Sequence, residues 1–232
     1  MRRYISKGVV VSLTSFFAVQ KGDNDIRMVY DGTKSGLNDA MWVPRFGLPT
    51  IETHLGSIEE GTFMADVDVE ECFLNFPLHQ SLQKLAGVDF TKYFPDPSQS
   101  TVWECWHRAL MGVKSSPYQA VQGMTVSDEV ICGQPEDSHN VFRWSRVRLN
   151  CPGDKDYDPS KPWVSKIRSD GKIAADLSGY VDDLHPSGSS QVEAWHTSRQ
   201  AASTLNHLGI QDAACKLLEI SDPLPPAIYL FN

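Results

Sequence analysis

Apolar and polar positions along this chain change places in short runs, and most of the elements they predict are brief. Residues 9–13 and 16–19 read as short strands, and the polar run from Lys21 to Asp25 predicts a turn joining 16–19 to a further strand at 26–30. The resulting hairpin carries Lys21 and Arg27 on its arms. Residues 47–55 read as a loop running into a helix, with Pro49 near its first turn. Residues 63–69 alternate well enough for a strand, and the chain turns helical near 70–73. A helix opened by Pro117 is predicted over 117–129. Residues 134–162, rich in Pro, Asp and Ser, read as a long surface insertion. Ser190 and Glu193 have the spacing of a capping box. The helix they open is predicted to bury Val192, Trp195, Ala202, Leu205 and Leu208 and to end at Gly209. No internal repeat appears. The pattern is that of an α+β chain with antiparallel hairpins.

Composition narrows the picture. A chain of 232 residues with 41% apolar and 22% charged residues is ordinary for a globular protein of one large or two small domains. No apolar run approaches the roughly 18 residues of a membrane span, and the start of the chain does not read as a secretion signal. Cys72, Cys105, Cys132, Cys151 and Cys215 are scattered, with no Cys-x-x-Cys pair, so reduced thiols in an intracellular setting, cytoplasmic or nuclear, are the simplest account. The net charge of -8 argues against a surface that is basic throughout. Residues 141–172 depart from it, with eight Lys and Arg against four Asp, a local net charge of +4. The seven histidines form no ligand-spaced cluster.

Tyr180-Val181-Asp182-Asp183 sets two adjacent carboxylates after an aromatic residue, in a run that suits a hairpin tip. Asp66 and Asp68 leave one face of the predicted strand at 63–69 by its period of two. Carboxylates brought together from separate strands can hold a pair of magnesium ions, which accept few protein ligands and complete their shells with phosphate oxygens. Spacing alone leaves Asp66 and Asp68 as equal candidates.

The order of these motifs resembles the reverse transcriptase domain of retroelement polyproteins, over essentially the whole chain. The residues that carry the resemblance are Arg27 and Asp31 followed by Leu37-Asn38, the run from Leu48-Pro49 to Leu55, and Asp68 with Phe73 and Phe76-Pro77-Leu78. They continue with Met111-Gly112 through Pro117, Tyr180 to Asp183, and Gly209 with Lys216. The resemblance selects Asp68, because Phe73 stands five positions after it. It implies a right-hand polymerase architecture without a thumb: fingers about 1–43 and 79–115, palm about 44–78 and 116–232, and an insertion about 130–170. It implies RNA-directed DNA synthesis by two-metal nucleotidyl transfer of dNTPs onto a primer 3′-hydroxyl on an RNA or DNA template.

The roles it implies are these. Asp68 and Asp182 are metal ligands, with the Val69 carbonyl as a further donor and Asp183 contributing less. The cofactor is Mg²⁺, two ions, with Mn²⁺ able to substitute. Lys21 and Arg27 grip the triphosphate, Phe73 acts as a gate against the 2′-hydroxyl, and Gly112 lets backbone approach the nucleotide. Tyr180 lies near the primer end, and Lys216 acts as general acid toward pyrophosphate. The thumb and ribonuclease H of the polyprotein are expected elsewhere, and no membrane is involved. His185-Pro186 departs from the family pattern, since proline cannot donate to a ladder, and predicts a short or edge strand after the hairpin tip. Two other readings share these residues: an RNA-dependent RNA polymerase, and an inactive remnant that only binds nucleic acid.

Overall fold

The computed structural model of the chain describes residues 4–48, 58, 61–95, 97–98, 100–135, 137–140, 142–159, 161, 163–171, 173–174 and 178–211. In chain order the strands are β1 (Ile5–Ser6), β2 (Ser15–Lys21), β3 (Asp25–Asp31), β4 (Phe63–Met64), β5 (Val67–Asp68), β6 (Gly87–Asp89), β7 (Trp103–Trp106), β8 (Trp144–Leu149), β9 (Val164–Arg168), β10 (Ser178–Tyr180), β11 (Asp183–His185) and β12 (Ser187–Gly188). Helices run over Leu37–Ala40, Gln80–Gln83, Ser116–Cys132 and Gln191–His207, with a 3-10 turn at Cys72–Asn75. Among the described residues every strand pair is antiparallel, in two three-stranded and three two-stranded sheets. The chain is α+β.

It divides into two compact units, each made of alternating segments: Met1–Phe46 with Glu71–Gly123, and Gly47–Glu70 with Met124–Asn232. In the first unit β1, β7 and β6 form one sheet, and β2 and β3 form a long ribbon. Its core gathers Tyr30, Leu37, Leu78, Val88, Trp106, Leu110 and Val113, with Phe73 and Phe76 packed against them. The Tyr30 and Trp106 rings meet edge-on at 5.2 Å, the geometry their quadrupoles favour. Burial pushes the Tyr30 hydroxyl up to about 12, so it stays protonated.

In the second unit β5 pairs with β11, and β11 pairs with β10. Burial over 65–70 alternates strictly, with Ala65, Val67 and Val69 buried and Asp66 and Glu70 exposed, so one face of this ladder is core and the other is polar. Leu184 joins Val67 on the buried face. β11 stops after three residues because Pro186 has no N–H to donate. Its carbonyl still accepts from Ala65 N at 2.9 Å, and the chain resumes as β12 against β4. The helix Gln191–His207 packs on β4, β5 and β12. Gly188 permits this approach, because a Cβ there would lie 2.5 Å from Ala194 N.

Several sequence expectations hold here. The hairpin at 15–31 forms, with a turn at 22–24. Ser190 Oγ accepts from Glu193 N at 3.2 Å. Gly209, at φ +79°, ends the last helix in a Schellman motif, with Gly209 N on Asn206 O and Ile210 N on Leu205 O.

Others are corrected. Residues 9–13 are not a strand. Val11 N and Ser12 N both donate to Lys84 O, Thr14 N donates to Gly87 O and Gly87 N to Ser12 O, of these residues only Leu13 forms a bridge, and Val9 and Val11 face solvent. The last helix buries Ala194, Thr197, Ser198, Ala201 and Leu205, whereas Val192 and Trp195 are 66% and 41% exposed. Small side chains form its contact stripe because the sheet backbone lies close. Within the segment 134–162, read from sequence as a surface insertion, the middle builds β8, which pairs with β9.

Candidate functional site

The ladder β10–β11–β5 brings the acidic motifs together. Register sets Asp183 opposite Asp68 and Leu184 opposite Val67. Val69 N donates to Asp182 O at 2.8 Å and Ala65 N to Pro186 O, so the hydrogen-bonded positions are the odd residues of β5. Asp68 and Asp183 are therefore a non-hydrogen-bonded pair, the kind in which antiparallel strands hold side chains closest. By the same count Asp66 lies opposite His185, and the His185 ring N–H donates to Asp66 Oδ1 at 2.8 Å. Asp66, Asp68, Asp183 and His185 thus share the polar face of one short ladder.

The tip is strained. β10 and β11 are joined through Val181 and Asp182, and Val181 has φ +57°. A β-branched residue there costs about 1–3 kcal/mol and persists only where the surroundings dictate it. Here the Asp182 carbonyl is held by Val69 N, and Tyr180 is paired with Asp183. The Asp182 and Asp183 side chains are exposed, and Tyr180 is half-exposed on the edge strand.

Asp183 is the residue in register with Asp68, while Asp182 stands at the turn and contributes its carbonyl to the ladder. Asp66, which the resemblance leaves aside in favour of Asp68, and His185, given no role by the sequence, form a polar pair beside them. Their pairing follows from the strand register, which sequence spacing does not specify. Val69 is buried, its N–H spent on Asp182. Among the described residues, no three His, Cys, Asp or Glu side chains converge as a ready-made metal shell.

Lys21, Arg27, Phe73 and Gly112 belong to the first unit. Register pairs Val19 with Arg27 and Lys21 with Asp25, so Lys21 and Arg27 lie on one face of the β2–β3 ribbon as diagonal neighbours, both exposed. Phe73 lies in the 3-10 turn, half-buried against the core of its unit. Gly112 has φ +92°, and a Cβ on it would fall 1.8 Å from Tyr30 O. Asn38 fastens this corner: its Nδ2 donates to Gly112 O at 3.0 Å and its Oδ1 accepts from Lys114 N at 2.8 Å. A cavity of about 450 Å³ opens beside it, lined by Thr33, Asn38, Asp39, Gly112, Lys114 and Pro117 among others. Sequence reading did not give Asn38 this clamping role; its polarity just past Leu37, buried at the helix start, is the signal. Lys216 and most of the run from Leu48-Pro49 to Leu55 lie outside the described residues.

Compared with known proteins, the chain matches no protein-family model and no curated protein.

Proposed function

We propose that the chain is a reverse transcriptase domain, an RNA-directed DNA polymerase of retroelement type that extends a primer 3′-hydroxyl with dNTPs. The observation that carries this reading is the opposition of Asp68 and Asp183 across β5 and β11, with Asp182 beside them at a strained tip. The interleaved units support it as well, since their boundaries after Phe46, Glu70 and Gly123 alternate as fingers and palm would.

The donor set fits magnesium. It consists of hard carboxylate oxygens on a solvent-facing strand surface, and the ion needs few of them. Two magnesium ions held by Asp68, Asp182 and Asp183, with the Val69 carbonyl as a further donor, would acidify the primer hydroxyl and neutralise the departing pyrophosphate. Lys21 and Arg27 supply adjacent positive charges for a triphosphate, the arginine as a planar fork and the lysine as a compact charge. Phe73 would stand under the incoming sugar as a barrier to the 2′-hydroxyl.

The test is Mg²⁺-dependent extension of a DNA primer on an RNA template. Asp68→Asn and Asp182→Asn should each lower the rate on the order of a thousand-fold, since electrostatic stabilisation by a bound metal is worth several kcal/mol. Extension that proceeds equally well in these variants refutes the assignment. Preference for NTPs over dNTPs would instead indicate an RNA-making polymerase. Phe73→Val should lower discrimination against ribonucleotides by roughly ten-fold or more, measured by single-nucleotide incorporation.

A further inference from the structure

The hairpin of β8 and β9 is not needed by the acidic ladder, yet it carries the basic part of an acidic chain. Its cations are of two kinds. Lys166 pairs with Glu129, Arg168 with Asp170 and Glu193, and Lys161 with Asp158. No ion pair among the described residues engages Arg146 or Arg148, and both are exposed.

Register gives these two arginines a common face. Arg146 lies opposite Ile167 and Arg148 opposite Ser165. Asn150 N donates to Trp163 O at 2.8 Å, continuing the ladder, so position 163 falls on the face of 165 and 167 and diagonal to Arg148. Trp163 is 64% exposed. On this face Ser165 and Ile167 of β9 are buried, so its exposed part is Arg146, Arg148 and Trp163, and the β8 edge pairs with no other strand among the described residues.

From this arrangement we infer that the β8–β9 hairpin is a docking surface for single-stranded nucleic acid, with Arg146 and Arg148 on successive phosphates and Trp163 stacked on an unpaired base. Charge complementarity identifies the partner as a polyanion. The uncompensated arginines lie in a segment of net +4 within a chain of net charge -8. The indole identifies the strand as single, because the bases of a duplex are already stacked and leave no face for a tryptophan. An edge strand is also protected from aggregation by charge of either sign, so reversing the charge separates the two roles. The inference goes beyond the polymerase reading and needs no catalysis.

The experiment is fluorescence polarisation of the whole chain with a labelled single-stranded RNA of about 20 nucleotides, and with the duplex of the same sequence, in EDTA. Without metal or nucleotide present, its outcome is separate from that of primer extension. The single strand should bind more tightly than the duplex. R146E/R148E should weaken it by ten-fold or more while keeping the oligomeric state of the wild-type chain, and R146Q/R148Q should weaken it less and flatten its salt dependence. Trp163→Ala should lower single-strand affinity by about five-fold or more and leave the duplex unaffected. Circular dichroism verifies that each variant is folded. Absence of binding by the wild-type chain, or equal binding by a folded R146E/R148E, overturns the inference. So does competition by polyglutamate as effective as that by RNA, which would mark the hairpin as a surface for acidic protein.

Discussion

Gly112 and Gly209 both have positive φ, yet different forces keep them glycine. Open space surrounds the position a Cβ would take at Gly209. Gly209→Ala should therefore cost only the left-handed backbone, about 1–2 kcal/mol. At Gly112 the Cβ would strike the Tyr30 carbonyl. Gly112→Ala should cost at least about 3 kcal/mol, strain and displaced main chain together. Urea unfolding of the two variants separates these cases. Val181 offers the converse: Val181→Gly should raise stability by about 1 kcal/mol through release of its strained φ, set against the greater freedom of unfolded glycine. Residue-scale readings were legible where a single position speaks for itself. Gly209 follows a helical run, and Ser190 precedes a glutamate at the capping distance. The opposition of Asp68 and Asp183 was not, because it depends on which strand lies between two others.

Among the elements, the β8–β9 hairpin is tied to the last helix through one carboxylate. Glu193 accepts from Ser189 N at 2.9 Å and pairs with Arg168. Burial works to raise its pKa, but the Ser189 hydrogen bonds and the Arg168 charge outweigh burial and hold it below its ordinary 4.5. A depressed carboxylate stabilises the fold above its unfolded pKa, and that contribution fades as pH falls through the lower folded value. Melting temperature should therefore drop between about pH 5 and pH 3 more steeply in the wild-type chain than in Glu193→Gln. The hairpin itself escaped sequence reading because β8 alternates arginines with exposed valine and leucine, with no apolar face, and the segment joining it to β9 is rich in Pro and Asp. The last helix was found, but its buried stripe was misjudged. Of the apolar residues its periodicity predicts to be buried, Leu205 is, whereas Val192, Trp195 and Leu208 are exposed, and close approach to the sheet selects Ala194, Ser198 and Ala201 instead.

For the whole molecule, charge distribution matters more than its sum. If nucleic acid is held chiefly by Arg146 and Arg148, log affinity should fall with log salt at a slope of about -1 to -2, since each single-strand phosphate contact contributes about 0.7. Titration between 50 and 300 mM KCl reads that slope, and a value near -6 would require a far broader basic surface. The α+β class was legible from short alternating runs. The division into two units was suggested only by the order of motifs, because each unit draws on two distant stretches of chain whose joining is a matter of tertiary packing.

The ladder of β5 and β11 also makes the site a question of parity. Buried Ala65, Val67 and Val69 are odd, and polar Asp66, Asp68 and Glu70 are even. One residue inserted between Ala65 and Asp68 exchanges the two sets, turning carboxylates toward Leu184 and valines toward solvent. Two inserted residues restore the faces but change which acid meets Asp183. A tolerance map of short insertions across this strand should therefore alternate: odd lengths abolish folding, and even lengths fold while losing the partnership between the acids.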